Sequence, residues 1–160
     1  MKVFKNLLLP IAIIVTFTGT SQPMEKQEVK YSDPTETYSS EDFKINAQIG
    51  ETKIGSIEYI LERRKAKMLL FNVNKDFRNN KQERVGQHLF QACVDDVVAQ
   101  GYKQLEWIAN PTSDLKIDAI VTIYEKMIKK LKNADSYRFT KGEQYGIYNP
   151  KVNMRLIFHA

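Results

Sequence analysis

The sequence predicts one mixed α/β (α+β) domain with a central, mixed but mostly antiparallel β-sheet, helices on both faces, and the order β-β-β-α-β-α-β-β. Three observations carry this expectation. Two segments, 85–98 and 115–131, place apolar residues at three-and-four spacing, while the segments around them alternate with period two. The run Met68-Leu69-Leu70-Phe71-Asn72-Val73 is continuously apolar, as expected of a central strand covered on both faces. The composition, 160 residues with 42% apolar, 27% charged, seven Gly and one Cys, is that of an ordinary globular chain with room for one domain. It excludes collagen-like, low-complexity and wholly disordered chains, and a single Cys forms neither a disulfide framework nor a Cys-rich zinc site.

Residues 1–21 read as a secretory signal and are set apart from the fold. Lys2 and Lys5 precede the apolar run Leu7–Val15, and Gly19-Thr20-Ser21 supplies the small residues that a signal peptidase reads. The expected location is therefore outside the cytoplasm, periplasmic or secreted, with an uncleaved N-terminal membrane anchor as the alternative. Residues 22–41 are polar, carry Pro23 and Pro34, and read as a linker; residues 42–160 form the domain. The two lysines of the signal account for two of the five excess positive charges, so the remainder is too weakly basic for a nucleic-acid partner.

Within the domain, Phe43, Ile45 and Ala47 alternate with polar neighbours, Gly50-Glu51 interrupts, and alternation resumes to about Glu62, which predicts a hairpin. The group Glu62-Arg63-Arg64-Lys65 turns the chain into the apolar central strand. A long polar loop, 74–84, leads to a helix with its stripe on Val85, Leu89, Phe90, Cys93, Val94, Val97 and Val98, ended by Gly101 as a left-handed cap. Tyr102–Asn110 is a strand with Leu105, Trp107 and Ala109 on one face. Ser113 is the expected cap of the next helix, which runs through Lys132 with Tyr124 on its apolar stripe. Strands 137–148 and 152–159 close the chain around Asn149-Pro150.

A strand, a polar loop, a helix and a parallel strand suggest an acidic ligand at the helix N-terminus, where backbone N–H groups lack partners. Arg78, Lys81 and Arg84 precede that helix and would meet a pyrophosphate with side-chain cations; a solvated basic loop accounts for them equally well. His88 sits one turn inside the helix.

Over residues 42–159 the sequence resembles the GNAT-type N-acetyltransferases. In that family an Arg/Gln-x-x-Gly-x-Gly/Ala segment joins the central strand to the helix and holds the pyrophosphate of acetyl-coenzyme A. Here Lys81-Gln82-Glu83-Arg84-Val85-Gly86 takes that register, with Lys81 for the usual Arg or Gln and Arg84 for a glycine; a second register starts at Arg78. Leu89-Phe90-Gln91-Ala92-Cys93 and Gln100-Gly101-Tyr102 before Leu105-Glu106-Trp107 are similar to the helix and strand that follow. Asn110 and Ala119-Ile120-Val121-Thr122-Ile123-Tyr124-Glu125-Lys126 are similar to the family's Asn and its A-i-x-l-Y-e-k segment.

The resemblance implies an acetyl-coenzyme A-dependent N-acyltransferase, with acetyl-coenzyme A as co-substrate and an amine-bearing small molecule or protein as acceptor. It implies cofactor contacts from Phe71, Asn72 and Val73 to the pantetheine arm, from Arg78, Lys81, Gln82, Glu83, Arg84, Val85, Gly86, Gln87 and His88 to the phosphates, and from Asn110. Tyr124 would protonate the departing thiolate, since a phenol supplies a proton without being charged at rest. A buried tyrosine with a packing role is the alternative. The amine must react neutral, and Glu58, Glu62 and Glu106 are the candidate bases, Glu106 foremost because it faces away from Leu105 and Trp107. No metal ligand set assembles from His88, His159 and Cys93, and Cys93 has no His partner for nucleophilic chemistry. Trp107, Tyr102, Tyr137, Tyr145 and Tyr148 read as core or half-buried sheet aromatics. Export removes the chain from the compartment where acetyl-coenzyme A is made, so a secreted, non-catalytic α/β binding module is the competing expectation.

Overall fold

The computed structural model describes residues 28–37, 41–78 and 84–159. Its strands are β1 (Val29–Tyr31), β2 (Thr35–Glu36), β3 (Asp42–Ile49), β4 (Thr52–Glu62), β5 (Lys65–Val73), β6 (Gln104–Ala109), β7 (Tyr137–Tyr145) and β8 (Lys151–Phe158). Its helices are α1 (Lys75–Arg78), α2 (Val85–Ala99) and α3 (Ile117–Ile128). The strands form one sheet in the order β1-β3-β4-β5-β6-β8-β7, with β2 also on β3. Every pair is antiparallel except β5–β6.

The local signals act as their chemistry dictates. Gly50 takes φ +56° in the two-residue turn between β3 and β4, and Gly101 takes φ +81° after α2. There the Gly101 and Tyr102 amides donate to the carbonyls of Val98 (2.9 Å) and Val97 (3.1 Å), satisfying the helix end. Gly55 lets α2 approach the sheet closely, because a Cβ there would lie 3.0 Å from Leu89 Cδ1 and 3.1 Å from the Asn72 carbonyl oxygen.

Four features differ from the sequence expectation. The polar stretch read as linker contains β1 and β2, which pair antiparallel with β3 through backbone bonds that need no apolar pattern. The loop after β5 contains α1. The helix α3 starts at Ile117, because Thr112, not Ser113, organises the chain before it: the Leu115 amide donates to Thr112 Oγ1 at 3.1 Å. Finally, α2 and α3 share one face of the sheet. Gln87 Nε2 donates to the Met127 carbonyl (3.0 Å), the Lys132 amide donates to Gln91 Oε1 (2.8 Å), and Phe90 and Tyr124 both pack on Trp107 of β6. Residues Ile45, Ile57, Tyr59, Leu105, Met154 and Leu156 complete this core with the buried stripe of α2. The opposite face carries Lys44, Glu58, Lys67, Glu106 and Arg155, and among the described residues no helix packs there.

The parallel pair is the part of the sheet that positions a site. β5 and β6 are in register only at Ala66↔Leu105 and Lys67↔Glu106, after which they separate. Leu70 pairs with Glu58 and Met68 with Tyr59, so Leu69 is the extra residue of a bulge at the point of separation. The run read as buried on both faces is consequently open: Leu69 is 57% and Leu70 48% exposed. Among the described residues no helix is long and apolar enough to cross a membrane; residues 1–21 lie outside them.

Candidate functional site at the splayed parallel strands

A wedge between β5 and β6 follows from that separation. It opens toward the C-terminal ends of both strands, and β5 residues 68–73 have no ladder partner on this side. Four rings floor it. Tyr124 lies 6.1 Å from Phe71 of β5, 6.0 Å from Phe90 of α2 and 5.3 Å from Trp107 of β6, measured between centroids. These are the tilted separations of packed aromatic rings, so the cluster spans the gap that the hydrogen bonds leave.

Tyr124 is thus brought to the crotch of the wedge from the apolar stripe of α3, of which Ile123 is exposed. It is 9% exposed, and its hydroxyl has no hydrogen-bond partner among the described residues. Burial raises its pKa, so the phenol stays protonated across the neutral range. The indole Nε1 of Trp107 is a second polar group of the same crotch: it is buried and has no acceptor. Sequence reading placed Trp107 in the core and gave no sign that its N–H is unsatisfied there.

The N-terminus of α2 stands at the mouth of the wedge. Gly86 lies against β5, where a Cβ would be 3.5 Å from both Phe71 Cζ and Val73 Cγ2. No side chain caps the helix, and the His88 amide, donating to the Arg84 carbonyl at 3.1 Å, is the first satisfied one. The Val85, Gly86 and Gln87 amides therefore precede any intrahelical acceptor and form an anion-binding end. Arg84 takes φ +44°, a left-handed conformation that favours glycine. Lys81, Gln82 and Glu83 lie outside the described residues.

Other expected contacts are engaged within the protein. Arg78 Nε donates to the Val73 carbonyl at 2.8 Å, and Arg78 Nη1 lies 3.5 Å from Asp114 Oδ2, with Lys75 Nζ 3.8 Å from the same oxygen. This clasp joins the segment after β5 to the segment after β6, so it crosses the mouth of the wedge. It also occupies one of the main-chain acceptors expected to face a pantetheine arm. Gln87 uses its side chain to bridge α2 and α3, and His88 Nδ1 lies 3.2 Å from the Tyr31 hydroxyl, tying β1 to α2. Asn72 is exposed, and Asn110, at the end of β6, donates from Nδ2 to the Ile108 carbonyl at 3.3 Å. Asp114 was missed from sequence because nothing local distinguishes it; its partners lie on another loop.

Glu106 is on the far face, and both its oxygens are occupied. Oε2 accepts from Lys65 Nζ at 2.6 Å and Oε1 from Arg155 Nε at 2.8 Å. The Lys65 hydrogen bond and the two cations hold its carboxyl below the usual carboxylate range, despite partial burial. With both oxygens held by cations, the group is placed as a counter-ion of Lys65 and Arg155. Glu58 is paired with Lys44, and Glu62 lies 3.9 Å from Lys65 Nζ. Cys93 is buried, and burial pushes its thiol up, away from the thiolate a nucleophile needs. Tyr145 is partly exposed and Tyr148 fully so, at the β7–β8 tip and not in the core.

No protein-family model matches the sequence, and no curated protein matches it either. Solved structures do match the fold. The ribosomal-protein-S18-alanine N-acetyltransferase of Escherichia coli matches with TM-score 0.58 and 12% identity, over 76% of this chain and 72% of that one. An aminoglycoside 6'-N-acetyltransferase complexed with coenzyme A matches with TM-score 0.56 and 13% identity, over 73% of each chain. A GNAT family acetyltransferase from Elizabethkingia anophelis with acetyl-CoA bound matches with TM-score 0.55 and 12% identity, over 84% of this chain and 100% of that one.

Proposed function

We propose that this chain, which has the fold of the GNAT acyl-CoA N-acyltransferases, is an acetyl-coenzyme A-dependent N-acyltransferase acting on an amine. One observation carries the reading. A parallel strand pair is joined at only two rungs, and it opens toward an uncapped helix N-terminus while a protonated tyrosine lies in its crotch. The residues fit the thioester substrate. The Val85, Gly86 and Gln87 amides would hold its pyrophosphate, and the unpaired edge of β5 would receive the arm. From the last rung at Lys67 to Val73 this edge advances six steps, about 20 Å at strand rise. The orphan Trp107 N–H fits a bound carbonyl oxygen.

In the reaction the amine nitrogen forms a bond to the thioester carbonyl carbon and the carbon–sulfur bond breaks, with its electron pair leaving on sulfur. The Tyr124 hydroxyl donates a proton to that sulfur, and the proton shed by the nitrogen restores the phenol. Because burial disfavours the phenolate, Tyr124 acts by relaying a proton and not by accumulating charge. The candidate bases Glu58, Glu62 and Glu106 each lie within ion-pair distance of a cation, so the amine enters by its neutral fraction.

Coenzyme titration tests the reading. Acetyl-coenzyme A or coenzyme A at a hundred times its Kd stabilises the folded chain by about 2.7 kcal/mol and raises Tm accordingly. Absence of any shift at millimolar ligand overturns it. Release of free thiol with a panel of amines then separates an enzyme from a non-catalytic binding module. Export is proposed from the N-terminal sequence alone, and the mature N-terminus, determined by sequencing the protein from its source cells, tests it.

A further inference from the structure

The helix-free face carries a cleft of about 510 Å³ that the proton relay does not use. Lys65, Lys67, Glu106, Asn153 and Arg155 line it, with Trp107 at its floor. Its charges do not cancel. Glu106 is the only acid lining it and is shared by two cations, Lys65 and Arg155. Lys67, the Cα partner of Glu106 across the β5–β6 pair, has no ion-pair partner among the described residues. Lys141, also in the lining, is neutralised by Glu125 at 2.7 Å. Lys65 also lies 3.9 Å from Glu62, so one positive charge, that of Lys67, remains uncompensated in a concavity, where low-dielectric walls strengthen its field.

The position of the cleft gives that charge a use. Lys67↔Glu106 is the last rung before the strands separate, and Trp107, next along β6, packs its ring on Tyr124. The cleft therefore reaches the crotch from the face opposite α2 and α3. Resting on the acyl-transfer reading, we infer that this cleft admits the acceptor amine and that the acceptor carries an anionic group, a carboxylate or a phosphate, bound by Lys67 with Lys65 and Arg155. The anion anchors the acceptor on the outer lining and its amine reaches the crotch. A polycation is rejected by the same field.

Trp107 is the single tryptophan of the chain and lies in the sheet between the cleft and Tyr124, so a change in its emission reports occupancy of the cleft through the crotch, without turnover. The probes are γ-aminobutyrate and O-phosphoethanolamine, against ethanolamine as neutral-tailed and putrescine as dicationic controls. Both anionic amines are expected to saturate the emission change at concentrations at least about tenfold lower than the controls, and to weaken as salt is added. A carboxylate-only or phosphate-only response identifies the anion. Lys67→Gln, checked for an unchanged Tm, lowers the anionic-over-neutral preference about tenfold, and the same ranking appears in KM for thiol release. If putrescine or ethanolamine binds as well as the anionic amines, or Lys67→Gln leaves the preference intact, the inference falls. Thiol release without anionic preference would sink this inference and leave the transferase standing. Anion-dependent emission changes with no thiol released from any amine would sink the transferase and the acceptor role with it, leaving only an anion-binding cleft.

Discussion

Replacing Tyr124 by Phe separates chemistry from packing more cleanly than any other change in the wedge. The ring is retained, so its contacts with Phe71, Phe90 and Trp107 persist. The hydroxyl has no partner among the described residues, so its removal breaks no protein hydrogen bond. The hydroxyl is not among the buried side-chain atoms that lack a partner, so water reaches it and its removal changes little: Tyr124→Phe is expected to stay within about 1 kcal/mol of the parent in stability. Turnover is affected far more. A positioned proton donor contributes about 10²- to 10⁴-fold, or roughly 2.7–5.5 kcal/mol of barrier. With the residue 9% exposed, water substitutes in part, which places the expected loss in kcat near the lower end, about a hundredfold. Coenzyme affinity stays unchanged, since the pyrophosphate site lies at the far end of β5. The assay is liberated thiol read with a chromogenic disulfide, against which the one cysteine, Cys93, is silent because it is buried. A variant with unchanged Tm and a kcat within about threefold of the parent would make Tyr124 a packing residue and refute the relay.

Three further changes probe the parts around it. Arg84→Gly relieves a left-handed residue at φ +44° and is expected to stabilise by about 1 kcal/mol, seen as a higher urea midpoint at constant m-value; a lower midpoint would mean that the arginine side chain contributes more than its backbone strain. Asp114→Asn opens the clasp across the wedge and frees Arg78 and Lys75 from a carboxylate, so coenzyme affinity by calorimetry should rise several-fold, and a fall would show that the clasp shapes the anion site. Glu106→Gln tests the counter-ion role through pH. The folded carboxyl titrates below an ordinary glutamate, so its stabilisation is complete above the ordinary value and is lost as pH falls through the folded one. The variant should therefore be less stable near neutrality, by no more than about 1 kcal/mol for so exposed a network, and should converge with the parent in acid. A gap that widens in acid would contradict the assignment.

The legible parts of the fold were those written in local chemistry. Alternation marked β3 and β4, the glycines at 50 and 101 marked their turns, and the stripe from Val85 to Val97 marked α2. β1 and β2 left too short a trace to read: Val29 and Tyr31 alternate with Lys30 and pack against the core, but three- and two-residue edge strands give no sustained period and are held by backbone bonds to β3. Leu69 and Leu70 misled for the opposite reason. Their hydrophobicity is real, but the separation of β5 from β6 is a property of the sheet, and no segment encodes it alone. The site divides in the same way. Tyr124 was visible because its helix carries a stripe and a recognisable segment. The fate of Glu106 was not, since its two cations lie 41 residues before it and 49 after, and only the register of β5, β6 and β8 brings them together.

The splay itself requires a compensating source of stability, and the rings supply it. Between Met68 and Val73 the β5 edge forgoes its ladder to β6, so peptide groups that would be paired in a continuous sheet remain open. An unsupported gap of that kind would close by pairing or collapse around its exposed leucines. Phe71, Phe90, Trp107 and Tyr124 prevent both outcomes by filling the space between the strands with contacts that need a separation of about one ring thickness or more. The same packing buries the Tyr124 phenol, which keeps it protonated, and strands the Trp107 N–H without an acceptor. Stability and chemistry are therefore not separate investments here. The cluster that holds the wedge open also leaves the Trp107 N–H unsatisfied beside the open β5 edge, and the proposed thioester, with a backbone-pairing arm and a carbonyl oxygen, would satisfy both deficits together.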